Sequence, residues 1–356
     1  MISIILGTRP EIIKMSPVIR ECIKRDLDFQ IIHTGQHYSY EMDKTFFEQL
    51  ELPEPNFNLD VGSGTHGEQT ARVLEGVERI LSETRPRVAL VQGDTNTVMA
   101  GALAASKLKI KVGHVEAGLR SFDRNMPEEI NRIVADHVSD LLFAPTEVSR
   151  RYLLQEGVPL EKIHLVGNTI VDSVHQNLEI SLSKVDALKN LGLSPGEYFL
   201  VTAHRAENVD LKERFSGIIE GLRLINDEYE LPVVYPIHPR ARKFLELFRI
   251  DTTGINIIDP VGFLEFLQLE SSARLVLTDS GGVQEETCIL GTPCVTLRDN
   301  TERPETIDVG SNMLGGTHPD LIMKATRMMM DSEEEWENPF GDGRTGARIV
   351  HICRSC

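Results

Sequence analysis

Short runs of Ile, Val and Leu, each closed by a glycine or a polar residue and followed by an amphipathic stretch, recur along most of this chain. The first series runs Ser3–Gly7, Phe29–Gly35, Val88–Asp94, Ile110–Gly118, Leu141–Thr146 and Lys162–Asn168. Helical patterns at Thr97–Leu108, Glu129–Val138 and Ser149–Glu156 lie between them. A second series runs Tyr198–Arg205, Pro232–His238, Ile255–Asp259, Arg274–Gly282 and Pro293–Leu297. Apolar runs without in–out alternation suit parallel strands buried on both faces, joined by helical crossovers. A polar segment, Ser181–Glu197, parts the two series. The pattern predicts an α/β chain of two doubly wound, Rossmann-like domains with a cleft between them.

At 356 residues the chain is long for a single core, and its 41% hydrophobic and 26% charged content is that of an ordinary globular protein. A net charge of −17 argues against sequence-independent nucleic-acid binding, which depends on Lys and Arg displacing counterions. No apolar run reaches the ~18–20 residues that span a bilayer. The opening "MISIILGTRPE" reads as a strand, without a basic signal region. A cytoplasmic protein with no membrane partner is expected. Five cysteines, an odd number, argue against a disulfide framework. "CRSC" at Cys353–Cys356 has no second pair to complete a tetrahedral metal site and reads as a tail. "GSGTHG" at Gly62–Gly67 has the letters of a dinucleotide fingerprint, but the preceding "EPNFNLDV" is polar and proline-broken where a strand is required. A loop before a Glu68–Ser82 helix is expected there. Neither a nicotinamide cofactor nor a metal is expected.

Ligands of open parallel sheets bind beyond the carboxyl ends of the strands. Here those ends carry Gly7-Thr8-Arg9, Gly35-Gln36-His37, Gly93-Asp94, His114-Val115-Glu116, His204-Arg205, His238-Pro239-Arg240 and Asp279-Ser280-Gly281-Gly282. Any one of them could be a helix cap. Their recurrence in both halves favours a single interdomain site. "DSGG" ends a strand and opens a helix, so backbone N–H groups and the helix dipole would face a phosphate. Glu286, further along that helix, is better suited to ribose hydroxyls, and Arg303 to a bidentate phosphate contact. The chemistry points to a nucleoside diphosphate.

The segments "GTRPEIIKMSPVI", "TGQHY", "VQGDT", "HVEAGLRS", "MPEEINR", "VTAHRAEN", "YPIHPR", "LTDSGGVQEE" and "RDNTERPE" closely resemble the non-hydrolysing UDP-N-acetylglucosamine 2-epimerases, across essentially the whole chain. The resemblance implies the glycosyltransferase B-type fold, with domains at residues 1–168 and 169–343 and residues 344–356 returning to the first. It implies a homodimer that interconverts UDP-GlcNAc and UDP-ManNAc. Asp94, Glu116 and Glu128 match the family's catalytic carboxylates, and His204 its diphosphate-binding histidine. Arg9, Lys14, Val261, Phe266, Ser280, Gly281, Gly282, Glu286 and Arg303 match its UDP-sugar contacts. The weaker alternative reads Lys14 as a helix-surface charge and Phe266 as a core residue of a Gly262–Leu269 helix. Gln36 and His37 match a region where bacterial relatives hold a second UDP-GlcNAc as activator.

The sugar's C2 proton is not next to a carbonyl and cannot simply be removed. If UDP leaves C1, positive charge develops there and the C2–H becomes acidic. Elimination to 2-acetamidoglucal plus UDP, then re-addition, is the plausible route, needing a base and an acid near the sugar and donors on the departing UDP. A glycosyltransferase of the same fold, a hydrolysing epimerase releasing ManNAc and UDP, and a sensor that binds without turnover remain open alternatives.

Overall fold

The structure is a computed structural model that describes residues 1–36, 40–332 and 335–355, with the side chains of all of these except 40–43. It divides into two compact units, Met1–Gln176 with Phe340–Cys356, and Asn177–Pro339. In the first, β1 (Ile2–Leu6), β2 (Phe29–His33), β3 (Phe57–Asn58), β4 (Val88–Gln92), β5 (Lys111–Val115), β6 (Leu141–Ala144) and β7 (Ile163–Leu165) form one sheet in the order β3-β2-β1-β4-β5-β6-β7. In the second, β8 (Phe199–Thr202), β9 (Val233–Pro236), β10 (Ile255–Ile258), β11 (Leu275–Thr278), β12 (Cys294–Thr296) and β13 (Asn312–Leu314) form another, in the order β10-β9-β8-β11-β12-β13. Every pairing is parallel. Both units are therefore doubly wound and Rossmann-like, as the alternation of apolar runs predicts.

The reason lies in burial. All five residues of β1 and of β4 are buried, as are all four of β11, so helices cover both faces of these strands. One side of the first sheet packs Ile5, Ile32, Val91 and Val112 under the helices His66–Thr84 and Asn96–Lys107. In the second unit Phe199, Val201, Tyr235 and Leu277 pack against Phe215, Ile218 and Leu222 of the helix Lys212–Tyr229. Burying such side chains contributes ~1.5–3 kcal/mol each before chain entropy is subtracted.

The alternation of apolar runs does not predict β3 and β13. They are two and three residues long, lie at sheet edges and are only partly buried, so neither carries an apolar run. The "GSGTHG" segment enters the helix His66–Thr84, whose N-cap Thr65 accepts the N–H of Glu68 while the Glu68 carboxylate accepts the N–H of Thr65.

The boundary between units falls within the helix Thr169–Lys184. Its first turns belong to unit one because Asp172 accepts the backbone N–H of Thr345 and Gly346, at 3.1 and 3.0 Å. The terminal helix Thr345–Ser355 then packs on the helix Arg9–Lys24. A Cβ at Gly346 would stand 2.9 Å from the Pro17 carbonyl group, so glycine sets how closely the two helices approach. Among the described residues no helix is long and apolar enough to cross a membrane.

Candidate active site

In unit one the neighbours β1 and β4 lead into crossovers that run to opposite sides of the sheet order, the switch point at which open α/β sheets bind ligands. The turn after β1 needs glycine, because a Cβ at Gly7 would lie 2.3 Å from Thr97 Oγ1 and 2.5 Å from Thr34 Oγ1. Glu11 folds back from the first turn of the helix Arg9–Lys24. Its Oε2 accepts the N–H of Gly7 at 2.5 Å and of Thr8 at 3.0 Å, and its Oε1 accepts the Thr95 hydroxyl at 2.5 Å. One buried carboxylate thus ties the turn after β1 to the turn after β4. Burial pushes its pKa up to about 7 against those three donors, and Asp94 adds to the rise. The Arg9 guanidinium, first in the helix, lies over the Phe46 ring at 5.6 Å.

Asp94 follows Gly93, whose φ is +87°. Its carboxylate meets Arg132 at 2.5 Å, and its carbonyl accepts the Asn131 side-chain N–H at 2.9 Å. Glu116 follows β5 with φ +67°, a left-handed conformation that costs a non-glycine residue ~1–2 kcal/mol. Its side chain is buried, with Oε1 2.6 Å from Lys14 Nζ, while Oε2 accepts the side-chain N–H of Gln92. Oε2 also lies 3.9 Å from where a Cβ on Gly93 would stand, so Glu116 sits beside the Gly93-Asp94 turn. Lys14, expected against the UDP-sugar, is placed on Glu116.

Glu128 is partly exposed in the first turn of the helix Pro127–Val138. Its neighbour Glu129 is buried and accepts the N–H groups of Ser121 and Phe122, the Ser121 hydroxyl and Arg132 Nη1. Burial opposes its charge, but those donors hold its carboxyl below the usual range. Gln36 is buried and accepts the Thr97 hydroxyl at 2.8 Å; His37 lies outside the described residues.

Unit two repeats the plan, with β8 and β11 adjacent at its switch point. Asp279, fully buried at the end of β11, accepts the N–H of His204 at 3.1 and 3.0 Å on its two oxygens. It also accepts the N–H of Arg205 at 2.9 Å and the side-chain N–H of Asn208 at 3.1 Å. The His204 ring stays 42% exposed, with Nδ1 3.4 Å from Asp279 Oδ1 and the His238 ring 5.7 Å away. Burial, then His204 and Arg240, lower the His238 pKa.

Ser280 caps the helix Gly281–Leu290 by its backbone conformation while its side chain makes no capping bond. The first N–H groups of a helix have no intrahelical partner, which is what an anion site uses. Arg303 Nε lies 2.7 Å from Glu285 Oε1 on this helix, and its guanidinium carbon is 4.0 Å from a Cβ position on Gly281. Glu286, partly exposed on the same helix, neighbours the fully buried Glu270. Burial, and then Glu286, push the Glu270 pKa well above the ordinary carboxylate range. Val261 and Phe266 are partly buried against Tyr198, Leu200 and Val276.

Within unit one the structure thus brings Arg9, Lys14, Asp94 and Glu116 to neighbouring strand ends. Within unit two it brings together His204, Ser280, Gly281, Gly282 and Arg303. Glu11, Gln92, Arg132 and Glu285 are not among the residues that the sequence singles out. They stand inside the quoted motifs, but nothing local tells a buried partner from a surface charge.

A family model described as UDP-N-acetylglucosamine 2-epimerase matches residues 20–354. The chain is 57% identical to a UDP-N-acetylglucosamine 2-epimerase of Methanocaldococcus jannaschii, over 99% of this chain and 98% of that protein. It is 42% identical to a UDP-2,3-diacetamido-2,3-dideoxy-D-glucuronate 2-epimerase of Pseudomonas aeruginosa, over 97% of each. The crystal structure of the Methanocaldococcus jannaschii enzyme in complex with UDP-GlcNAc and UDP superposes with a TM-score of 0.87 at 56% identity, covering 100% of this chain and 99% of that one. With two Rossmann-like units and these likenesses over its full length, the chain belongs to the UDP-N-acetylglucosamine 2-epimerase family.

Proposed function

We propose that this protein reversibly epimerises UDP-GlcNAc to UDP-ManNAc at C2, by removing the C2 proton and eliminating UDP from C1 to give 2-acetamidoglucal, then adding UDP back to C1 and a proton to the opposite face of C2. The observation that carries the reading is Glu116. It is a buried carboxylate at a left-handed backbone position, held by Lys14 and Gln92 beside the turn that bears Asp94. Strain of this kind persists where the surroundings over-determine it, and functional sites are where it collects. Asp94, Glu116 and Glu128 handle the protons of the sugar. His204, the Ser280–Gly282 turn and Arg303 hold the diphosphate, with Arg9 adding positive charge as UDP departs and Glu286 on the ribose. Val261 and Phe266 hold the uracil. No nicotinamide and no metal takes part. The setting is cytoplasmic and the assembly a homodimer. Gln36 and His37 belong to a second, regulatory UDP-GlcNAc site.

Proton NMR of UDP-GlcNAc with the pure protein in D2O tests the reading. UDP-ManNAc should grow in, with deuterium at C2 of both sugars, because the abstracted proton is not the one returned. Accumulating UDP and ManNAc would make the protein a hydrolysing epimerase, and protium retained at C2 would indicate internal transfer. UDP-GlcNAc left untouched while the diacetamido uronate sugar nucleotide turns over would move the substrate assignment within the family.

A further inference from the structure

Next to the two carboxylates lies a charged cluster that the proposed chemistry does not use. His114, on β5 two residues before Glu116, has no exposed surface. Its Nδ1 is 2.6 Å from Asp136 Oδ1, and its Nε2 is 2.8 Å from the Gly93 carbonyl oxygen. Asp136 Oδ2 accepts the N–H of Gly118 at 3.2 Å and meets Arg120 Nη2 at 2.7 Å. Arg120 in turn grips Glu156 through Nε and Nη2, at 2.8 and 2.6 Å. The side chains of His114, Asp136 and Arg120 are 0%, 0% and 1% exposed.

The proton count follows from the partners. A peptide carbonyl only accepts, so Nε2 carries a hydrogen. Asp136 already accepts from Gly118 and Arg120 on one oxygen and is anionic, so Nδ1 carries the other. Rotating the ring by half a turn would place carbons at both contacts and lose them. The ring is an imidazolium. Burial alone would lower its pKa, but Asp136 and the Gly93 carbonyl outweigh burial and the opposing Arg120 and raise it. Asp136 is held below the ordinary range, since His114 and Arg120 overcome the cost of its burial.

We infer that the buried imidazolium of His114, locked by Asp136, is a positioning residue that sets Asp94 and Glu116 for proton transfer. This rests on the reading that those two carboxylates act on the sugar. His114 holds the carbonyl of Gly93, the residue before Asp94, at φ +87°. Asp136 holds the N–H of Gly118, two residues past Glu116, at φ +81°. Glu116 lies between these clamps at φ +67°. Replacing a buried ionic triad by apolar side chains is often neutral or stabilising, so such a triad is weak evidence of a stability role. Here it fixes both turns that carry the proposed catalytic groups.

The charged groups facing the ring are Asp136 from the helix Pro127–Val138 and Arg120 from the segment after β5, with Glu156 behind Arg120; the turn after β4 presents the Gly93 carbonyl. A raised histidine pKa means the imidazolium persists above its ordinary range and is lost as pH rises through the raised value. Turnover should therefore fall on the alkaline side along with ring deprotonation.

The test pairs nitrogen-15 NMR of the histidine rings with the pH profile of kcat. In the wild-type protein the His114 ring should carry both protons at pH 7.5, and its titration should coincide with the alkaline limb of kcat. Asp136→Asn should move both to lower pH and cut kcat ~10- to 100-fold, as a misplacement of about 1 Å does. KM should change less than ~3-fold, since the diphosphate contacts lie on unit two. A neutral His114 at pH 7.5, or a ring titration unrelated to kcat, overturns the inference without needing the variant to fold. An unmoved kcat profile in Asp136→Asn, beside inactive Asp94→Asn and Glu116→Gln, overturns the positioning role alone. Near-normal turnover in Asp94→Asn and Glu116→Gln removes the catalytic reading and the inference with it.

Discussion

Replacing Asp279 should separate folding of unit two from its grip on a nucleotide. Its carboxylate has no exposed surface and collects three donors: the N–H groups of His204 and Arg205 and the side-chain amide of Asn208. A hydrogen bond to a charged group contributes ~1.5–3 kcal/mol, and a buried donor left unsatisfied costs ~1–3 kcal/mol. The three share one acceptor and are not additive, so Asp279→Ala should lose ~3–5 kcal/mol, a large part of the ~5–15 kcal/mol of a typical domain. Asp279→Asn is the sharper variant. With its amide oxygen in the place of Oδ2 the Asn still accepts from His204, Arg205 and Asn208, but its N–H2 replaces Oδ1 and opposes the His204 N–H, which should cost ~1–3 kcal/mol. Urea unfolding followed by circular dichroism should show an early transition for unit two. Calorimetric UDP binding should weaken ~10-fold or more, because the turn carrying His204 loses its anchor to the Ser280–Gly282 turn. A wild-type unfolding midpoint for Asp279→Ala, or unchanged UDP affinity for Asp279→Asn, would refute this account.

Glu11→Gln keeps an acceptor for Gly7 and Thr8 and a donor for Thr95. With a folded pKa of about 7 against an ordinary 4.5, the wild-type carboxyl contributes stability below pH 4.5 that is lost as pH rises through 7. That loss is on the order of 3 kcal/mol, so unfolding midpoints should fall from pH 5 to 8 in the wild type and stay flatter in the variant. Glu270→Gln should stabilise by ~1 kcal/mol or more at pH 8 and by little at pH 5, because a buried carboxyl beside Glu286 resists ionising; equal midpoints at pH 8 would dismiss the pair. Lys14→Met removes the ammonium 2.6 Å from a Glu116 carboxylate whose side chain is 4% exposed. Breaking such a buried pair costs ~3–5 kcal/mol, and turnover should drop at least ~10-fold while UDP binding survives. Asp94→Asn and Glu116→Gln should each lower kcat by ~10²–10⁴-fold, the usual weight of general acid–base catalysis, and near-normal rates would remove that residue from the mechanism.

The architecture was legible because a strand buried on both faces must be apolar at every position, as β1, β4 and β11 are. The edges were not, because Phe57–Asn58 and Asn312–Leu314 are short and half covered, so neither composition nor period marks them. The strand-end residues were legible for a related reason. A polar group directly after a buried strand, next to a glycine, has few purposes other than capping or binding. Arg9, Asp94, Glu116, His204 and Ser280 all stand in that place.

What one sequence does not carry is pairing. Lys14 meets Glu116 across 102 positions, Arg132 meets Asp94 across 38, and His204 meets Asp279 across 75. Each pair exists because the sheet order sets β1 beside β4, β4 beside β5, and β8 beside β11. The same order explains why the chemistry gathers there. Only the ends of strands flanking a switch point look onto a space that crossovers leave to either side without filling. The burial of Asp136 and Arg120 follows in turn, since the turns bearing Asp94 and Glu116 need anchoring from beneath. In sequence those anchors look like the charges of any solvated helix or loop. Their number is bounded by the cost of desolvation, so each fully buried charge near a strand end is a better pointer to function than the many exposed charges around it.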